Sequence, residues 1–120
     1  MRNKLAEEKS SAAGATLRID KWLWFARLAK TRSLAARLCA AGAVTVGGTV
    51  AMKAHHAVRV GDVVSAPQGR SLLTVRILAL GRRRGPAPEA RLLYEEAAPP
   101  RPLRGKDEWE PLLAEGEEEK

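Results

Sequence analysis

The chain has 120 residues, with 21 Lys and Arg against 14 Asp and Glu, a net charge of +7. This length accommodates one domain with tails, and the single Cys excludes a disulfide framework and a multi-cysteine zinc site. No apolar run approaches the roughly 20 residues that a membrane span needs, and residues 1–16 lack the apolar region of a secretory signal. We therefore expect a basic, cytoplasmic, monomeric protein with no membrane contact.

The charge is distributed unevenly along the chain. Residues 17–94 carry 14 basic and 3 acidic side chains, whereas residues 95–120 carry 4 basic and 9 acidic ones. Most of the cations in the middle segment are Arg, whose planar guanidinium suits bidentate contact with phosphate. A basic unit of this density is typical of polyanion binding, and the acidic end fits a tail that restrains non-specific binding. The alternative is a basic surface that serves only solubility.

The first predicted element is a helix that follows a polar N-terminal tail. Residues 1–16 are small and polar, which predicts disorder. Asp20 is the expected N-cap of a helix that ends near Ala29. Its apolar periodicity places Trp22 in the core. For Trp24 two alternatives stay open, because it could pack internally or stack on an unpaired base.

A second helix is predicted from Arg32 to Ala41. Thr31 is its expected N-cap, and Gly42 follows as the expected C′ residue. One side of this helix is apolar, and the other side carries polar residues separated by small alanines, which would let a phosphate backbone approach closely. These polar residues are Arg32, Ser33 and Arg37.

Beyond the second helix the apolar spacing becomes alternating, which predicts strands. Residues 44–50 indicate a hairpin, because the Gly47-Gly48 pair favours a tight turn. Residues 58–64 give a second hairpin signal, and residues 72–80 predict a longer strand. The predicted order is two short helices followed by strands, an α+β arrangement with the helices packed on a small antiparallel sheet.

The C-terminal third is predicted to be irregular. Residues 81–88 form a predicted loop, residues 91–95 a last strand, and the prolines from Pro99 onward are expected to end regular structure. We expect a folded domain over residues 17–96 and an acidic, Pro-containing tail over residues 97–120. Within this tail a short docking segment is predicted at Trp109, Leu112 and Leu113.

No residue pattern indicates catalysis. P-loop and dinucleotide-binding glycine patterns are absent, and three acidic residues in the basic segment are few for acid–base chemistry. His55 and His56 are adjacent and would point to opposite faces of a strand, so they make a poor metal pair. Cys39 is expected to be a small core residue. We therefore expect no enzymatic activity, no metal and no cofactor.

The cations crowd around the two predicted helices, which favours nucleic-acid binding. Those in the helical region are Arg18, Lys21, Arg27, Lys30, Arg32 and Arg37. Lys53 follows the hairpin. A possible auxiliary contact lies in the later loop, at Arg82, Arg83 and Arg84.

Three stretches taken together resemble the S4 RNA-binding domain: residues 18–24 (RIDKWLW), 30–35 (KTRSLA) and 42–48 (GAVTVGG). The first two, together with residues 85–95 (GPAPEARLLYE), are similar to the ribosome-associated heat shock protein 15 family. The resemblance implies an S4-like (αL motif) fold of two helices on a small antiparallel sheet. The chain departs from this family at residues 53–55, where Lys-Ala-His replaces the frequent Lys-Pro-Ser, and in its more acidic tail.

The resemblance also implies a function. The family binds ribosomal RNA of the large subunit and acts in translation quality control, on stalled or dissociated subunits that hold peptidyl-tRNA. A role in the heat shock stress response is implied in the same way. Residues matching the family's phosphate-contacting surface are Arg18, Lys21, Lys30, Thr31, Arg32, Arg37 and Lys53. Two alternatives stay open: a generic RNA- or DNA-binding module, and an RNA-targeting partner of an RNA-modifying enzyme.

Overall fold

The computed structural model describes residues 14–103, and within this range the chain is an α+β fold. The helices are α1 (Ile19–Phe25), α2 (Arg32–Ala40), α3 (Ala87–Ala90) and a 3-10 helix (Arg91–Leu93). The strands are β1 (Leu17–Arg18), β2 (Thr45–Val46), β3 (Thr49–Val50), β4 (Ala57–Val58), β5 (Val63–Gln68), β6 (Ser71–Ile77) and β7 (Tyr94–Pro102). Of the tail predicted to be disordered (residues 1–16), residues 1–13 lie outside the described range, as does the predicted docking segment at Trp109, Leu112 and Leu113.

Helix α1 is shorter than predicted and begins differently. It ends at Phe25 because Arg27 adopts a left-handed conformation with φ 62°, a typical way to terminate a helix. The expectation that Asp20 is the N-cap is wrong: Arg18 occupies that position and makes no side-chain cap. Asp20 lies in the first turn, where a negative charge interacts favourably with the helix dipole.

Helix α2 follows the predicted capping pattern at both ends. Thr31 is extended, with φ −135° and ψ 158°, and its Oγ1 accepts a hydrogen bond from the Leu34 N–H at 2.9 Å. Gly42 follows the helix with φ 79°, which L-residues adopt at a cost. Both sequence predictions are therefore confirmed, and the cap fixes the point at which the chain enters α2.

Replacing Thr31 with Ala should destabilise the protein by about 1 kcal/mol, because an unpartnered N–H then remains at the start of α2. Urea denaturation followed by circular dichroism would measure the loss. Ser33→Ala is the matched control, since Ser33 is exposed in the same first turn and Ala has the higher helix propensity. Equal losses for the two variants would contradict the capping role of Thr31.

Two antiparallel sheets lie beside the helices. The larger has the strand order β3-β2-β5-β6-β7, and the smaller pairs β1 with β4. Gly47 and Gly48 have φ 61° and 84° and connect β2 to β3, which confirms the predicted hairpin. The second predicted hairpin is wrong, because Val58 pairs with Leu17 whereas β5 pairs with β2 and β6. Gly61 turns the chain from one sheet to the other, and its N–H donates to the Ile77 carbonyl.

Regular structure continues through the prolines. The expectation that they end it is wrong, because β7 runs to Pro102 and pairs with β6. Strand β7 lies at the edge of its sheet, where a missing N–H is tolerated on the unpaired side. The predicted last strand begins late, since residues 91–93 form a 3-10 helix, and α3 lies within the predicted loop and just after it.

The core lies between the helices and the sheets. Its largest fully buried side chains include Trp22, Ile19 and Leu38. The Trp22 indole N–H donates to the Ala79 carbonyl at 3.0 Å, which confirms the predicted core position and satisfies the polar end of the ring. Within residues 14–103 no helix has the length and apolarity needed to cross a membrane.

Candidate nucleic-acid interface

A buried carboxylate organises two of the predicted RNA-binding arginines. Asp20 is almost fully buried, with 4% of its side chain exposed. Arg18 donates from Nε to Oδ1 and from Nη2 to Oδ2 of Asp20, both at 3.0 Å. Arg32 approaches the same carboxylate, with Nε 3.7 Å from Oδ2. We call Arg18, Asp20 and Arg32 the Asp20 cluster.

The Asp20 cluster presents two cations in fixed positions. The side chains of Arg18 and Arg32 are 50% and 43% exposed, so each guanidinium reaches solvent while one edge of it faces Asp20. One carboxylate neutralises only one of the two charges, and the cluster stays cationic. Because the side chains are already ordered, binding a phosphate there costs less conformational entropy than ordering two free arginines.

Lys53 is brought to the same end of α1. The Asp20 N–H donates to the Ala54 carbonyl at 3.2 Å, and the Ile19 N–H donates to the His56 carbonyl at 2.8 Å. These bonds hold the segment after β3 beside the first turn of α1. The departure from the family pattern in this segment therefore leaves an ordered backbone next to the Asp20 cluster, with Lys53 exposed.

The other candidates on the helices differ in exposure. Lys21 is half-buried, and its Nζ lies 5.7 Å from the centroid of the Phe25 ring. Lys30 is exposed in the connection between α1 and α2, and Ser33 is exposed in the first turn of α2. Thr31 is half-buried with its hydroxyl oxygen engaged in the helix cap, and Arg37 is half-buried in α2.

Of the predicted auxiliary arginines, Arg84 contacts Trp24 and Arg83 is paired with Glu89. Arg84 donates from Nε to the Trp24 carbonyl at 3.1 Å, and its guanidinium carbon lies 5.8 Å from the centroid of the Trp24 ring. Arg83 binds Glu89, with Nη2 at 2.7 Å from Oε1, and Arg82 is exposed. Of the two alternatives for Trp24, the structure favours internal packing, since the ring is half-buried and contacts Arg84.

Arg27 and Arg84 line a cavity of about 300 Å³, a feature that the sequence pattern does not predict. We call it the basic cavity. Its lining residues are Arg27, Leu28, Lys30, Leu34, Pro67, Gln68, Gly69 and Arg84. Gln68 lies 41 residues from Arg27 in the chain and donates from Nε2 to its carbonyl at 3.0 Å. Burial lowers the pKa of Arg84, and the charge of Arg27 lowers it further.

The other side chains that the sequence singled out for possible reactivity are His55, His56 and Cys39. Within residues 14–103 no three His, Cys, Asp or Glu side chains are grouped so that they could hold a metal ion. His55 and His56 are exposed in a turn. Cys39 is fully buried in the core, as predicted, and burial raises the pKa of its thiol to about 11, with a further increase from the charge of Asp20. The thiol is therefore protonated near neutral pH.

The chain is similar in sequence to several known proteins. The S4 domain family model matches residues 17–64. The heat shock protein 15 homolog of Haemophilus influenzae is 42% identical over 80 residues, which cover 67% of this chain and 60% of the relative. Heat shock protein 15 of Escherichia coli K12 is 42% identical over 82 residues, 68% of this chain and 61% of the relative. The chain thus spans about three fifths of the length of these curated relatives.

Two further matches cover a larger share of the protein that is matched. The RQC P-site tRNA stabilizing factor of Halalkalibacterium halodurans is 44% identical over 61 residues, which cover 51% of this chain and 68% of that factor. The trimeric structure of Vibrio cholerae heat shock protein 15 has a TM-score of 0.66 at 33% identity, and the match covers 88% of this chain and 93% of that one. The expected S4-like α+β fold is confirmed by these similarities.

Proposed function

The chain belongs to the heat shock protein 15 family of S4-domain proteins, and we propose that it is a non-enzymatic protein that binds structured ribosomal RNA of the large ribosomal subunit. Its proposed role is the rescue or recycling of stalled or dissociated subunits that carry peptidyl-tRNA, in the cytoplasm. The relative from Halalkalibacterium halodurans, which is named for stabilizing P-site tRNA, supports a place beside tRNA on the ribosome.

The observation that carries this proposal is the Asp20 cluster. Two half-exposed guanidinium groups meet at one buried carboxylate, which accepts two hydrogen bonds from Arg18 and forms an ion pair with Arg32, so both cations lie close together before any ligand arrives. Fixed cations can match the spacing of phosphates in a folded RNA, and RNA helices are recognised mainly by shape and backbone contact. The protein would then act by position, because binding favours the state of the subunit whose RNA fits the surface.

The proposed surface extends from the Asp20 cluster along both helices and onto the segment after β3. Its residues are Arg18, Lys21, Arg27, Lys30, Thr31, Arg32, Ser33, Arg37 and Lys53. In this proposal Thr31 acts chiefly by fixing the start of α2, since its hydroxyl oxygen already accepts the cap hydrogen bond. The proposed auxiliary contact comprises Arg82, Arg83 and Arg84, of which Arg84 lies against Trp24 and Arg83 is paired with Glu89.

Sedimentation through a sucrose gradient tests the ribosomal part of the proposal. The full chain, mixed with purified ribosomal subunits at about 150 mM salt, should migrate with free large subunits. A position at the top of the gradient would oppose the proposal. Competition among ribosomal RNA, duplex DNA and a homopolymer at the same salt tests whether binding is specific. Equal affinity for all three would indicate a generic polyanion binder.

Replacing Arg32 or Arg37 with Ala should flatten the dependence of log K on log salt by about one unit per lost phosphate contact. At about 150 mM salt this corresponds to roughly fivefold weaker RNA binding for each variant. Fluorescence anisotropy over a salt series would measure both quantities. The matched control is Arg76→Ala, which removes the same charge from β6, where Arg76 pairs with Glu95 at 3.2 Å. An equal change in the control would contradict a localised surface.

A further inference from the structure

We propose that the basic cavity binds one unpaired nucleotide of the RNA, with its phosphate between the cations and its base against the apolar wall. This inference rests on the proposed function and deepens it, because it names the RNA element that the protein prefers. The cavity lies between the connection from α1 to α2 and the turn from β5 to β6.

Charge is the first observation that supports the inference. Three cations line the basic cavity, namely Arg27, Lys30 and Arg84, and no acidic residue is among its lining residues. In the Asp20 cluster, by contrast, a carboxylate already neutralises part of the charge. Burial lowers the pKa of Arg84, and repulsion from the charge of Arg27 lowers it further. An anion between them would relieve this repulsion, and a phosphodiester is the anion that the proposed partner supplies.

Shape and apolarity are the second observation. Leu28, Leu34 and Pro67 contribute apolar surface to the same cavity, which suits the face of a base or a ribose. A volume of about 300 Å³ is at the lower end of the range for ligand pockets. It suits a single nucleotide and is far too small for a duplex, so the nucleotide must be splayed out of its helix.

The cavity wall is also held rigidly. Arg27 has φ 62° although it is not a glycine, a conformation that costs a non-glycine residue free energy and that the hydrogen bonds around Arg27 offset. Its N–H donates to the Trp24 carbonyl at 3.1 Å, its Nε to the Gly85 carbonyl at 2.7 Å, and its carbonyl accepts from Gln68. Arg84 is anchored to the Trp24 carbonyl as well. The Nε atoms of both arginines are therefore committed to backbone carbonyls, which fixes the two guanidinium groups beside the cavity.

The test compares two RNA hairpins that differ only in a single-nucleotide bulge, in anisotropy titrations of the full chain at about 150 mM salt. We expect the parent protein to prefer the bulged hairpin at least fivefold. Arg84→Gln and Lys30→Gln should abolish this preference, whereas Arg76→Gln, which removes the same charge from β6, should retain it. The readout is the ratio of the affinities for the two hairpins. A loss of charge that weakens binding to both hairpins equally therefore leaves this ratio unchanged. Circular dichroism would establish that each variant is folded.

A second measurement uses the parent protein alone. In NMR spectra, addition of adenosine or uridine monophosphate should shift the side-chain amide of Gln68 and leave Arg76 unchanged, whereas ribose should shift neither. Absence of a shift with both nucleotides, or retention of the bulge preference in both cavity variants, would overturn the inference. Equal binding of the two hairpins by the parent would overturn it as well and leave the proposed function standing, whereas failure to bind either hairpin would oppose both.

Discussion

Asp20→Asn is expected to weaken RNA binding by about tenfold, which corresponds to about 1.4 kcal/mol, although the substitution makes the protein more basic. If charge alone governed affinity, removing a carboxylate would strengthen binding to a polyanion. The opposite result is expected because the Asp20 carboxylate positions Arg18 by two hydrogen bonds and attracts Arg32 in an ion pair. Asn offers one weaker acceptor, so both guanidinium groups gain freedom that RNA binding must then remove.

The matched control for this prediction is Asp62→Asn, which also removes one negative charge, at another position. Asp62 accepts a hydrogen bond from the Arg59 N–H through Oδ2 at 3.1 Å, and Asn retains an oxygen that can accept it. We expect this variant to bind RNA as tightly as the parent or more tightly. Tighter binding by both variants would contradict the positioning role of Asp20 and favour a surface that acts by charge alone.

Asp20→Asn has a second expected effect, within the core. Burial and then the charge of Asp20 raise the pKa of Cys39 to about 11. Removing a negative charge makes the thiolate less unfavourable, so the pKa of Cys39 should fall, and it should stay above its ordinary value because burial remains the larger cause. A titration of thiolate absorbance in the parent and the variant would measure this fall, and an unchanged pKa of Cys39 would contradict the proposed effect of the Asp20 charge.

Local signals in the sequence predicted the parts of the fold that depend on neighbouring residues. The Thr31 cap, the turn at Gly47 and Gly48, and the helix end at Gly42 are each set by a few residues in a row. The resemblance of the first helices and hairpin to the S4 domain added the overall arrangement. These elements position the start of α2, and with it Arg32.

Features that depend on distant pairing were beyond the reach of local patterns. Asp20 has the residue type and position of an N-cap, but the helix already begins at Ile19, whose N–H donates to the distant His56 carbonyl. The sequence around Gly61 indicates a turn, but it does not indicate which strand Val58 pairs with. Its pairing with Leu17 in a separate sheet depends on contacts between residues far apart in the chain. Similarly, the prolines of β7 are compatible with a strand because that strand lies at an edge.

The candidate site likewise has a part that the sequence predicts and a part that only the structure reveals. Counting cations identified the basic segment and its residues, since charge is visible in the sequence. Counting could not show that Arg83 is paired with Glu89, or that Arg27 and Arg84 are anchored to backbone carbonyls. Nor could it indicate Gln68, which lies far along the chain from the helices and reaches Arg27 only because the β5–β6 turn folds back beside it.

Trp22→Ala is expected to lower the free energy of unfolding by about 3–5 kcal/mol, the range for truncating a buried aromatic residue. Trp22 is fully buried and meets Tyr94 edge to face, with 6.4 Å between ring centroids. Its indole N–H also binds the Ala79 carbonyl. Through these contacts Trp22 joins α1 to the segment after β6 and to the start of β7. Domains of this size have stabilities of about 5–15 kcal/mol, so the loss would be a large share of the total.

Two comparison variants separate the contributions of Trp22. Trp22→Phe keeps most of the apolar ring but leaves the Ala79 carbonyl without its donor, so an intermediate loss is expected. Trp24→Ala removes a half-buried ring that packs against Phe25 and Arg84, and should cost about 1–2 kcal/mol. Urea denaturation followed by circular dichroism suits all three, because it does not depend on tryptophan fluorescence. A loss for Trp22→Ala no larger than that for Trp24→Ala would contradict the role of Trp22 in joining α1 to the segment after β6 and to β7.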